Sequence, residues 1–143
     1  MLAIVVSTLL NLAMTWRLFE ADELIRNPVV LDFCRVLARK ALSQRNAEQG
    51  AFVVKTGDLL YFVAWPPGDE RDMLRWYGRF PEGTVAIVHT HPAWLPEASR
   101  LDARTAHDAK IPVYVITPFR IAKTSGGATE VVMAGDWITA PLR

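Results

Sequence analysis

Val85-Ala86-Ile87-Val88-His89-Thr90-His91-Pro92 and, after Ala93 to Ala98, Ser99-Arg100-Leu101-Asp102 form the stretch on which the fold turns. Four consecutive apolar residues read as a buried strand, and side chains alternate along a strand, so His89 and His91 point to one face. Pro92 opens a short loop. Ser99-x-x-Asp102 has the form of a helix capping box, and the sequence to Lys110 continues as a helix. Pro112 to Thr117 is then a second buried strand.

The same alternation extends outward. Upstream, Pro28 to about Ser43 spaces Val30, Phe33, Cys34, Leu37 and Ala41 helically, with Asp32, Arg35, Arg39 and Lys40 off the stripe, and Pro28 suits a first helical turn. Gly50 to Val54 and Leu59 to Ala64 are β-prone runs joined by Lys55-Thr56-Gly57-Asp58, a hairpin. Asp69 to Tyr77, with Asp69 as N-cap, predicts a shorter helix. Downstream, Arg120 to Lys123 and Thr129 to Met133 flank Ser125-Gly126-Gly127 as a last hairpin. Helices alternating with strands predict an α/β domain, a sheet with helices on its faces. At 143 residues there is room for one domain, 1–143.

Composition narrows the function. The chain is 51% hydrophobic with a formal charge of +1 and no run of like charges, so it can pack a core and is not built to track nucleic-acid phosphates. Cys34 stands alone, which removes an internal disulfide and every CxxC metal or redox motif, and points to a reducing, cytoplasmic compartment. Within that helical stripe it reads as a small core hydrophobe. Residues 1–14 form an apolar leader, closed by Arg17 and Glu20, short of the about 20 residues a spanning helix takes. No basic residue precedes it and no small-x-small cleavage site follows. Signal or anchor, buried element, and extension ahead of a start at Met14 stay open for it; no membrane association is expected otherwise.

Two of the three histidines lie at the strand end facing a helix start, a standard position for a site in an α/β layer. Taken singly, the histidines could be surface residues and Ser99-x-x-Asp102 an ordinary cap. Together they give three N and O donors, the number a catalytic zinc takes while keeping its fourth position for water, whose pKa it lowers to about 7. Hydrolysis is the natural use, and it further needs a base for the water's proton and a donor for the oxyanion. A cytidine-deaminase signature fails for want of cysteines. There is no His-Glu-x-x-His, nor the Asp-His after His91 of a metallo-β-lactamase-like motif, and His107-Asp108 reads as charged helix surface.

The stretch resembles the signature of the JAB/MPN (JAMM) metalloproteases: an upstream Glu, His-Ser/Thr-His-Pro, and, with seven residues between the second His and the Ser, Ser-x-x-Asp. His89-Thr90-His91-Pro92 and Ser99-Arg100-Leu101-Asp102 match without a gap. The resemblance implies a three-layer α-β-α sandwich with a mixed central sheet and one zinc ion on His89, His91 and Asp102. It also implies Ser99 as the hydroxyl steadying the oxyanion and an upstream Glu as general acid and base. Glu20, Glu23, Glu48, Glu70 and Glu82 all precede the histidines, and family order selects Glu48, between the first helix and the first core strand. Glu48-Gln49-Gly50 resembles the family's entry, but the usual second Gly at the strand's far end is replaced by Lys55-Thr56. Trp94, in the loop, is read as lining the mouth and holding an extended peptide, since aromatics are enriched at binding surfaces. The implied activity is a zinc isopeptidase or peptidase acting on the tail of a ubiquitin-like or sulfur-carrier protein, as in conjugation systems that include antiphage defence. Two alternatives are a metal-binding MPN scaffold without turnover and a small-peptide amidase.

Overall fold

A computed structural model of the chain describes residues 22–45, 47–66, 76, 78–91 and 97–140. The apolar leader at 1–14, the predicted helix at 69–77 apart from Trp76, and Trp94 lie outside the described residues. The fold is mixed α/β. Helices α1 (Glu23–Arg26) and α2 (Pro28–Ser43) lead into strands β1 (Gly50–Thr56), β2 (Leu59–Ala64) and β3 (Thr84–Thr90). Helix α3 (Arg100–Ala109) is followed by β4 (Val113–Ile116), β5 (Arg120–Ser125) and β6 (Ala128–Ala134). The six strands make one sheet in the order β2-β1-β3-β4-β5-β6. β3 and β4 pair in parallel, joined through α3, and every other neighbouring pair is antiparallel. No helix among the described residues is long and apolar enough to cross a membrane.

Local sequence explains the element ends. Asn27 caps α2 through its side chain, with Pro28 in the first turn, where its missing N–H costs nothing. β1 and β2 are joined by the two-residue turn Gly57-Asp58, in which Gly57 adopts φ +59. Gly83, at φ +80, lies under Lys55: a Cβ there would stand 2.6 Å from the Lys55 carbonyl oxygen, whose own amide donates to Gly83 O at 2.9 Å. β1 therefore runs between two partners, and Gly50–Val54 is wholly buried.

Alternation in these strands divides the core in two. Ala51, Val53, Ala86, Val88, Tyr114 and Ile121 face α1 and α2, meeting Ile25, Val30, Cys34 and Leu37. Phe52, Val54, Ile87 and Val113 face the other way and meet Ala106 of α3. Trp76 packs edge-on against Phe52 on this second face, ring centroids 4.9 Å apart.

One expectation for α2 is corrected. Its buried face is wider than the apolar stripe: Arg35, expected off it, is 8% exposed, whereas Phe33 is only half-buried and stacks on Phe62 at 3.8 Å. The cause is the segment after β6, which crosses the helix. Arg35 donates Nε to Trp137 O at 3.0 Å and a terminal nitrogen to Ala140 O, and pairs with Asp32 at 2.9 Å. A charge is buried there because its donors are met by backbone carbonyls. Periodicity within the helix carries no trace of a cover that comes from a hundred residues away.

Candidate metal centre

His89 is the last but one residue of β3 and His91 follows just past its end, both on the α3 face that Ile87 occupies one step earlier. The strand end is fixed on both sides. His91 N donates to Ile116 O at 3.0 Å, while Thr90 N donates to Gln49 O at 2.8 Å and Gln49 N to Thr90 Oγ1 at 2.9 Å. Asp102 comes from the opposite layer, in the first turn of α3. All three side chains are buried, and a ligating atom from each lies within 4.8 Å of the others.

The capping box expected at Ser99 and the ligand role expected of Asp102 share one carboxylate. Oδ2 accepts from Ser99 N at 2.6 Å and from Ser99 Oγ at 2.7 Å, and Asp102 N donates back to Ser99 Oγ at 3.2 Å. Oδ1 is left to His89 and stands 2.7 Å from its Nε2; Oδ2, shared with Ser99, is 3.6 Å from His91 Nε2. Burial works to raise the Asp102 pKa, but the His89 imidazole and the Ser99 hydrogen bonds outweigh it and hold the carboxyl well below the ordinary carboxylate range. The group is therefore ionised at neutral pH, as a ligand must be.

The donor set fits a metal ion. His89 Nε2 is buried with no hydrogen-bond partner among the described residues: the carboxylate oxygen beside it is close but not in line with a ring N–H. A buried ring nitrogen whose close neighbour is a carboxylate not aligned to accept from it suits a cation held between the two. Four ligands at about 2.0–2.1 Å around a tetrahedral centre sit about 3.4 Å from one another, and the observed separations of 2.7 Å and 3.6 Å bracket that spacing. The His89 and His91 rings are nearly perpendicular, at 77°.

Of the upstream glutamates, Glu48 alone among the described residues has the right position. Gly50 pairs with His89 in the antiparallel ladder, and Gln49 bonds to Thr90. Glu48 directly precedes Gln49, so extending the register would set it opposite His91; it is half-buried and outside the three-donor group. Glu23 belongs to α1 on the other face, and exposed Glu82 precedes the far end of β3. Ser99 is at the site, its proton donated to Asp102. Cys34 is buried against α2's own core, and burial pushes its thiol up to about 12, so it stays a protonated core side chain. His107 and Asp108 pair at 3.0 Å on the exposed side of α3, away from the site, as their sequence suggests. Two features had no signal in the sequence: the locking of Gln49 to Thr90, and a groove around Arg120, which depends on strands β5 and β6 lying beside the site.

Compared with known proteins, the chain matches no family model, no curated protein and no solved structure.

Proposed function

We propose that the chain is a zinc-dependent hydrolase of peptide or isopeptide bonds, of the JAB/MPN type, acting on the C-terminal tail of a ubiquitin-like or sulfur-carrier protein. The observation that carries the reading is the buried His89–His91–Asp102 group, with His89 Nε2 2.7 Å from Asp102 Oδ1 and a ligating atom of each within 4.8 Å of the others. Further support comes from Glu48 at the register position opposite His91, and from helices on both faces of a mixed sheet, which agrees with a three-layer α-β-α arrangement.

His89, His91 and Asp102 would hold the zinc ion, which supplies a Lewis acid for the scissile carbonyl and a lowered pKa for water. The Glu48 carboxylate takes the proton given up by the attacking water and hands it to the leaving nitrogen, one group serving as base and then acid. Ser99 Oγ has a single proton. It goes to Asp102 Oδ2 in this structure, orienting the ligand, and Ser99 steadies the oxyanion when that proton is turned toward it.

Purified protein is expected to take up one equivalent of zinc and to cleave a ubiquitin-like protein carrying a C-terminal extension. Glu48→Gln is expected to keep the zinc and lose about 100-fold or more in kcat, the usual scale of a general base. His89→Ala is expected to lose the metal. Stoichiometric zinc without cleavage of any extended or conjugated tail would leave a metal-binding scaffold, and absence of zinc binding would remove the reading altogether.

A further inference from the structure

On the α3 face of the sheet, beyond the histidines, lies a groove of about 370 Å³ between the start of α3 and strands β5 and β6. Its place follows from register. His89 pairs with Val115, Val115 with Ala122 and Ala122 with Val131, so these four share one face and one row. In the next row, His91 N bonds to Ile116 O and Thr117 N to Arg120 O, which sets Arg120 on that same face, two strands across from His91. Two strand spacings are about 10 Å, the length of about three extended residues.

Among the described residues, Arg120 is the groove's one cation. Its side chain is 32% exposed, and among the described residues its only side-chain partner is Glu97, at 3.7 Å, too far for a hydrogen bond. Glu97 and Glu130 line the groove as exposed residues, and an exposed pair such as Arg120–Glu97 is worth little and is readily exchanged. Ala98, Ala122 and Val131 are small or branched apolar side chains that leave the space open. A guanidinium offers five donors in a planar fork matched to a carboxylate, and among the described residues none of them is taken by a hydrogen bond.

We propose that this groove is the subsite for the released end of the substrate, and that Arg120 binds the free α-carboxylate of a short C-terminal peptide about three residues beyond the cut bond. The inference rests on the hydrolase reading and narrows it: the substrate is a chain end trimmed of a few residues, and Arg120 determines specificity.

The test uses trialanine and its C-terminal amide as probes on metal-free protein, followed by NMR titration. Trialanine is expected to bind about tenfold or more tightly than the amide and to shift the Arg120 Nε resonance. Arg120→Gln is expected to erase the difference while leaving zinc uptake unchanged; the variant keeps the turn, because Arg120 is tied to Thr117 through its backbone. On zinc-loaded protein, substrates ending in a free acid three residues past the cut are expected to show a KM about tenfold below that of their amides, again only with Arg120 present. Discrimination in the binding titration without turnover of either substrate would retire the hydrolase and keep the subsite. Equal binding of acid and amide, or discrimination that survives Arg120→Gln, overturns the subsite even if the tail is cleaved.

Discussion

Asp22 joins three parts of the molecule through one carboxylate. Oδ1 accepts from Leu24 N and Ile25 N at the start of α1, the Tyr114 hydroxyl of β4 donates to both oxygens, and Lys123 Nζ of β5 lies 2.7 Å from Oδ2. Burial works to raise its pKa, yet Lys123, the Ile25 amide and Tyr114 together hold it below the ordinary value. The Tyr114 hydroxyl moves the other way, raised by burial and by the Asp22 charge. A carboxyl with a depressed folded pKa binds fewer protons folded than unfolded, so its contribution is complete above the unfolded value of about 3.9 and fades as pH falls below it. Urea titrations from pH 6 down to pH 2.5 are expected to show Asp22→Asn less stable than the parent at pH 6, with the gap closing in acid. A constant gap would mean that the charge is irrelevant. Little of this was legible beforehand, because Asp22, Tyr114 and Lys123 are scattered along the chain and meet only through the β4–β5 register. The grouping of His89, His91 and Asp102, which could hold a metal ion, was legible for the opposite reason: strand alternation and the capping box fix their directions locally.

Elements were readable wherever their ends carry their own chemistry. α2 begins at its Asn27 cap and Pro28, α3 at Ser99, and both hairpins turn at glycines, because each of these signals acts within a few residues. The expected turn Lys55-Thr56-Gly57-Asp58 is shorter than read: Lys55 and Thr56 belong to β1, paired with Leu60 and Leu59. The extension places Lys55 against Gly83, and that approach is specific to a residue with no side chain. Gly83→Ala, combining a positive φ with a 2.6 Å clash against backbone, is expected to lower unfolding stability by about 1–3 kcal/mol in urea denaturation, without altering metal uptake. An unchanged midpoint would show that the turn before β3 can move aside freely.

Across the whole molecule, the segment that follows β6 is held from two directions. Trp137 Nε1 donates to Thr117 O at 2.9 Å, and Arg35 and Arg39 donate to the carbonyls of Trp137, Ala140 and Ile138. Arg35→Met keeps the aliphatic stem but strands two carbonyls against an apolar neighbour, so it is expected to cost about 2 kcal/mol of stability and to speed amide exchange across 135–140. Stability and exchange equal to the parent's would show the arginine to be a bystander.

The spacing of the three candidate metal donors has a bearing on how the protein comes together. His89 and Asp102 are 13 positions apart within one strand-loop-helix unit, a short loop to close, whereas Glu48 precedes His89 by 41 positions and reaches its station only when β1 has docked beside β3. Under the proposed hydrolase reading, ion capture during refolding is therefore expected to run ahead of turnover, giving a transient species that holds a metal and is still inert.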